Sequence, residues 1–443
     1  MSTGGGLNLA TCWEAVADGV PDAMALVHGD LRRTWAEFEA RSARLAGHLH
    51  AAGVGHDAKV AFYLFNGPEY LEGMFAAFKQ RSVPVNVNYR YLTDELRYLL
   101  DNSDAEAVLF SAELADRLDA VRADVPAVRT FLCVGADDQH PLPDWAVDYE
   151  SALRDANPAE RIDRSESDLW FLYTGGTTGM PKGVMWPHRS LLGTATATFG
   201  IIDRRIPSTP AEASEVAREF HARGKAVRML PAAPLMHGTS AITAVAALSH
   251  GGCITTLTGR SFDADELCAA VARDRISQLT IVGDAFAKPI VAALRAAADA
   301  GHPYDLSSLK VVASSGVMWS APVKAAFGEF CSATLADLLG SSEGVGFGAS
   351  VSKPGSTEPT AKFQLGKYAR VFTESGDEVQ PGSGVTGVLA VGGPIPIGYY
   401  KDPEKTAATF RTFAGSVWSV PGDFATVEAD GTIRLLGRGS VCI

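Results

Sequence analysis

Residues 169–183 read "LWFLYTGGTTGMPKG": an apolar run that passes at Tyr173 into four glycines, three threonines and one lysine. A strand entering such a loop is a recurrent way to hold polyphosphate. Glycines let backbone N–H groups converge on anionic oxygens, hydroxyls add donors, and a lysine neutralises charge. The Walker A pattern needs Gly-Lys-Ser/Thr in direct succession, whereas Lys182 stands between Pro181 and Gly183. The ordinary P-loop is thereby excluded. Composition alone would also allow a plain surface loop, so the rest of the chain has to decide.

Of the 443 residues, 47% are hydrophobic and 20% charged, enough for two or three cored subdomains. A net charge of −12, with no long run of like charges, argues against nucleic acid or an anionic membrane as the main partner. It leaves room for a small anionic ligand at a local site. The six cysteines have no C-x-x-C spacing, and "MSTGGGLNLATCWEAV" has no basic-then-apolar signal pattern. A reduced, cytoplasmic protein without structural zinc is therefore expected. No apolar run reaches the roughly 18–20 residues that span a bilayer, so no integral membrane contact is expected.

Helical and strand patterns alternate, which predicts an α/β fold with largely parallel sheets. "TWAEFEARSARLAGHLHAAGV" puts Trp35, Phe38, Leu45 and Leu49 at helical spacing, and "KVAFYLF" follows as a strand. The rhythm recurs in "ELRYLLDNSDAEAVLF" and "DELCAAVARDRISQLTIV". A polar stretch, Asn157 to Asp168, suggests a boundary, and beyond about residue 360 short strands with Ser-Gly-Asp and Asp-Gly turns suggest a small all-β unit. The expected division is a first αβ subdomain over 1–165, a second with the glycine/threonine loop over 166–360, and a small β subdomain over 361–443.

Further segments follow in order: "PAAPLMHG" (Pro231 to Gly238), "ASSGVMWSAP" (Ala313 to Pro322), "LLGSSEG" (Leu338 to Gly344), "TGVLAVGGP" (Thr386 to Pro394), "WSVPGDFA" (Trp418 to Ala425) and "LLGRGS" (Leu435 to Ser440). Together with T-G-G-T-T-G-x-P-K-G, this succession resembles the adenylate-forming superfamily of acyl-CoA synthetases, luciferases and peptide-synthetase adenylation domains. The resemblance covers essentially the whole chain, and the loop variants look most like the bacterial branch acting on bulky acyl chains, steroid side-chain acids included. It implies the family's large N-terminal domain: two αβ subdomains with layered, mostly parallel sheets and a small β-barrel-like subdomain. "GSSEG" also spells the G-x-S-x-G elbow of α/β-hydrolases. That fold places its histidine after the serine, and all ten histidines here lie at or before His302.

The reaction implied by the resemblance has two steps. A carboxylate attacks the α-phosphate of Mg-ATP to give an acyl-adenylate and pyrophosphate, then a thiol, that of coenzyme A, displaces AMP. By the same resemblance Thr174, Gly175, Gly176, Thr177, Thr178 and Gly179 would wrap the phosphates, with Lys182 adding positive charge. Glu343 and Thr174 would hold Mg²⁺, a hard cation suited to oxygen ligands. Asp423 would accept from the ribose hydroxyls, Arg438 would lie near ribose and phosphate, and His237 would line the acyl-adenylate site. Ser315, Gly316 and Val317 would border the adenine, as would Leu339, Gly340, Ser341 and Ser342. Glu343, Asp423 or His237 alone would each read as an ordinary loop, turn or core residue.

There are departures from the family pattern. Leu339 replaces an aromatic that often stacks on adenine, and Ser342 replaces a threonine but keeps its hydroxyl. Ser440 stands at the usual Asp or Lys hinge, and the small mobile C-terminal domain of the family is expected to be missing after Ile443. The isolated chain is then expected to be poorly active. The small residues Gly344, Gly346, Gly348 and Ala349, with "TIVGDAFAKPI" (Thr280 to Ile290), leave room for a wide acyl group, or the glycines serve as turns. Beside the acyl-CoA synthetase stand two other readings. One is an adenylate-forming enzyme with an amine, carrier-protein thiol or nitrogen nucleophile as acceptor; the other is a non-catalytic nucleotide-binding module. A homodimer is left open as the assembly.

Overall fold

A computed structural model of the chain describes residues 7–175, 179–199, 205, 207–352 and 362–438. The local patterns set the elements. Trp35–Ala51 is a helix that opens with a reciprocal cap: Thr34 Oγ1 accepts from Glu37 N while the Glu37 carboxylate accepts from Thr34 N. Its Trp35, Phe38, Leu45 and Leu49 are fully buried, as their spacing predicts. "KVAFYLF" gives the strand Lys59–Tyr63, buried along its whole length. The later repeats give the helix–strand pairs Thr93–Asn102 with Ala105–Ser111, and Ala264–Arg273 with Gln278–Ile281.

Two sheets organise the described residues. The larger has fifteen strands and a parallel centre running Met24–His28, Cys253–Thr256, Arg228–Pro231, Gln278–Ile281, Val311–Ser314, Thr334–Ser341. The smaller has eight. There Val83–Asn86, Lys59–Tyr63, Ala105–Ser111 and Thr130–Val134 run parallel, while Leu169–Thr174 and Lys182–Pro187 close an antiparallel pair beside them. Buried strands of this kind read as continuous apolar runs rather than alternations, which is why "LWFLYT" looks as it does.

Sheet membership cuts across the expected division near residue 165. Met24–His28 and Leu31–Thr34 join the larger sheet, whereas Leu169–Thr174 and Lys182–Pro187 belong to the smaller one with residues 59–148. The described residues after 361 are mostly short antiparallel strands, whose Val371, Leu389 and Ile433 share an apolar cluster with Phe347 of Gly344–Ser352. These strands are continuous with the larger sheet, because Lys362–Leu365 pairs with both Gly344–Ser352 and Thr432–Arg438. One further cluster, from Trp13 and Phe38 to Trp186 and Leu248, ties elements of both sheets together through the buried helix Gly238–Leu248. Among the described residues no helix is long and apolar enough to cross a membrane.

Candidate active site

Four adjacent parallel strands, Arg228–Pro231, Gln278–Ile281, Val311–Ser314 and Thr334–Ser341, end side by side. The segments leaving their carboxyl ends wall a cavity of about 360 Å³. This is the edge at which open α/β sheets collect ligands, because the connecting loops diverge there. His237 comes from the first connection, Val282 from the second, Ser315 and Gly316 from the third, Leu339 to Ser341 from the end of the fourth strand itself, and Ser342 from the turn after it. Thr174 reaches the same cavity from the smaller sheet.

The glycine/threonine loop is closed as a hairpin rather than as a strand-to-helix turn. Thr174 lies directly opposite Lys182 in the antiparallel ladder. Gly183 must be glycine here, since a Cβ would come within 2.5 Å of the Tyr173 ring. Gly175 and Gly179 flank the expected phosphate cradle, and Gly176, Thr177 and Thr178 lie outside the described residues.

Two asparagines, which the sequence reading missed, hold the motifs together. Asn86 is buried and accepts at Oδ1 from Tyr173 N at 2.6 Å, while its Nδ2 donates to Tyr173 O at 2.8 Å and Met236 O at 2.6 Å. One side chain thus fixes the residues just before Thr174 and just before His237. Asn66 does the same for the proline-rich segment: its Oδ1 accepts from Leu235 N at 2.7 Å and its Nδ2 donates to Ala233 O.

Ser342 and Glu343 form the turn between Thr334–Ser341 and Gly344–Ser352, with Ser341 opposite Gly344. Trp186 Nε1 donates to Ser342 O at 2.9 Å, and Tyr399 Oη donates to Glu343 Oε1 at 2.7 Å. Lys182 Nζ donates to the carboxylate of Asp402, a contact that, more than any other, holds the Asp402 carboxyl below its ordinary pKa. His237 caps the helix Gly238–Leu248 with extended backbone and opens onto the cavity. Partial loss of hydration first, and Arg90 second, hold its imidazole below the ordinary histidine pKa.

Eight of the expected residues therefore line one cavity: Thr174, His237, Ser315, Gly316, Leu339, Gly340, Ser341 and Ser342. Lys182 and Glu343 stand outside its lining. Val317 is 54% exposed. Asp423 is paired in register with Arg438 at the ends of neighbouring antiparallel strands; Asp423 is not among the residues lining the cavity, and the expected hinge Ser440 lies beyond the described residues. Gly346 and Gly348 line the cavity, whereas Gly344 is a packing position, where a Cβ would meet Val391 at 2.7 Å. Apolar walls come from Ala233, Ile242, Val282, Ala313, Leu338 and Val345. In their midst Thr280, from Gln278–Ile281, has a buried hydroxyl without a hydrogen-bond partner among the described residues.

The residues suit a divalent cation of one kind. No three His, Cys, Asp or Glu side chains converge as a metal group among the described residues. Magnesium that takes most of its ligands from phosphate and water needs only one or two carboxylates. Glu343, with one oxygen engaged by Tyr399, has a second to offer.

Known proteins resemble this chain in sequence and in fold. The family model described as AMP-binding enzyme matches residues 13–400. A medium/long-chain-fatty-acid–CoA/3-oxocholest-4-en-26-oate–CoA ligase of Mycolicibacterium smegmatis is 39% identical over 443 residues, covering 99% of this chain and 79% of its own. The 3-oxocholest-4-en-26-oate–CoA ligase of Rhodococcus rhodochrous is 37% identical over 445 residues, with the same coverage. Among solved structures, the inhibitor-bound N-terminal domain of FACL13 from Mycobacterium tuberculosis superimposes with a TM-score of 0.78 at 21% identity, covering 98% of this chain and 100% of that one. At that identity the likeness speaks for the fold.

Proposed function

The chain belongs to the AMP-binding enzyme family, and from that premise we infer that it is an ATP-dependent acyl-CoA synthetase, which joins a carboxylic acid to AMP and hands the acyl group to coenzyme A. The observation that carries the reading is the cavity at the carboxyl edge of the larger sheet, which gathers residues from four separate motifs. Its apolar walls and few polar groups suit an acyl-adenylate. The names of the relatives support a medium- or long-chain fatty acid or a steroid side-chain acid as substrate.

In this reading the threonines and glycines of the loop hold the triphosphate, and Lys182 neutralises part of its charge. Glu343 and the Thr174 hydroxyl hold Mg²⁺, which when bound would draw negative charge from the phosphates. Backbone groups of Ser315 and Gly316 border the adenine, with Leu339 in apolar contact. Gly316 has a positive φ of 96°, a conformation that glycine adopts without steric cost, where it lines the cavity. Asp423 receives the ribose hydroxyls and Arg438 the adjoining phosphate. His237 orients the acyl end. Activation then rests on positioning the carboxylate in line with the α-phosphate rather than on covalent chemistry by the protein. The cysteine usage supports a cytoplasmic location.

The test is mass spectrometry of the full-length enzyme incubated with Mg-ATP, coenzyme A and a pool of aliphatic, aromatic and steroid acids. An acyl-CoA mass is expected. An acyl-adenylate without thioester would replace coenzyme A by another acceptor, and neither product, with no ATP binding by titration, would overturn the reading.

A further inference from the structure

One short turn reaches both charged groups that the proposed site assigns to Mg-ATP. Gly398–Tyr399 is a strand that pairs antiparallel with Lys182–Pro187, the strand leaving the phosphate loop. Tyr400 N donates to Gly183 O at 2.8 Å and Ile397 N to Met185 O at 3.0 Å, so the turn is fastened to the loop's own exit. Its far side is fixed as well. Tyr400 Oη and Lys401 Nζ donate to the two oxygens of Asp104 at 2.6 and 2.8 Å, and Tyr399 N donates to Thr406 Oγ1 at 2.9 Å. From this frame the buried Tyr399 directs its hydroxyl at Glu343 Oε1, and Asp402 directs its carboxylate at Lys182. Asp402 is itself immobilised, because its Oδ1 accepts from Lys405 N at 2.9 Å as the cap of the helix Pro403–Thr409.

We propose that Gly398–Asp402 is a positioning bracket for the metal and phosphate groups: Tyr399 orients Glu343 toward the cation and Asp402 orients Lys182 toward the β- and γ-phosphates. The inference rests on the assignment of Glu343 and Lys182 above. Tyr399 occupies one carboxylate oxygen, so the other faces the cation in a single orientation. A lysine stem with four rotatable bonds gains its direction from the Asp402 anchor. Neither residue touches substrate, and both act through the group they hold.

The test is calorimetric titration of the protein with Mg-ATP, with ATP in chelator, and with AMP. Tyr399→Phe keeps the ring and removes only the hydroxyl. It is expected to weaken Mg-ATP binding about tenfold, in the range typical of lost outer ligands, while ATP in chelator and AMP bind as before. Asp402→Asn keeps a capping side chain and is expected to lower the affinity for ATP in chelator relative to AMP. Thermal melts establish that both variants are folded. Equal weakening of all three ligands by Tyr399→Phe would mean a merely structural role and overturn the proposal. So would unchanged Mg-ATP binding in Tyr399→Phe alongside a loss in Glu343→Gln, or tighter ATP binding by Asp402→Asn, which would make that residue a competitor of phosphate. If Glu343→Gln itself leaves Mg-ATP binding unchanged, the metal assignment beneath the proposal falls with it.

Discussion

Thr280 carries a buried hydroxyl without a hydrogen-bond partner among the described residues, in the wall of the pocket beside Ala233, Val282 and Ala313. Such a group is costly to keep dry. Thr280→Val is therefore expected to raise stability by about 1 kcal/mol, read from the denaturant midpoint. It is also expected to shift acid preference toward unfunctionalised chains in competition assays. The opposite sign is expected at Asn86, where one side chain satisfies Tyr173 N, Tyr173 O and Met236 O. Asn86→Ala should cost about 3 kcal/mol, since it strands buried backbone groups, and should weaken nucleotide binding further by releasing Thr174 and His237 from each other. At this scale the sequence is uneven. Thr174 and Glu343 stand in motifs with fixed spacing and are readable, whereas Asn86, Asn66, Tyr399 and Asp402 are ordinary residues made important by partners 56 to 220 positions away. No local pattern announces such a partnership.

Elements were far more legible, because a helix or strand is specified by its own periodicity. The capped helix Trp35–Ala51 and the strand Lys59–Tyr63 appear where the pattern puts them. What the pattern could not supply was the geometry of the glycine/threonine loop as a hairpin, which depends on Lys182–Pro187 folding back on Leu169–Thr174. The cross-strand contact of Gly183 with the Tyr173 ring gives that hairpin its test. Gly183→Ala should displace the ring and destabilise the protein by about 1–3 kcal/mol, the usual cost of overpacking, measured by thermal or chemical denaturation. A loss of ATP affinity larger than that of AMP should accompany it, because Lys182 precedes the glycine directly.

For the whole molecule, pH is the lever that a buried histidine provides. His188 is fully buried against Phe78, and its Nδ1 accepts from Leu9 N. Burial above all pushes its pKa down from 6.5 to about 3. The unfolded chain takes up a proton below about 6.5 that the folded chain refuses until about 3, so this residue's contribution to stability is lost progressively as pH falls across that window. Denaturant midpoints between pH 7 and 4 should show this slope, and His188→Gln should flatten it. The sheets were only partly foreseeable at this scale. That parallel strands would form the sheet centres follows from the alternation of elements, but which strands share a sheet, and that most pairings of the larger one are antiparallel, is decided by long-range pairing.

That interleaving also imposes a timetable on the ribosome. Met24–His28 finds its parallel neighbour only at Cys253–Thr256, with His28 meeting Thr256 across 228 positions. At bacterial and eukaryotic elongation rates the first strand waits roughly 10–50 s for its partner to be made. Throughout that interval one edge of the nascent ribbon is unpaired, and an open edge invites pairing with other chains. The newborn polypeptide should accordingly depend on a holding chaperone until its second half emerges, whatever the stability of the finished fold.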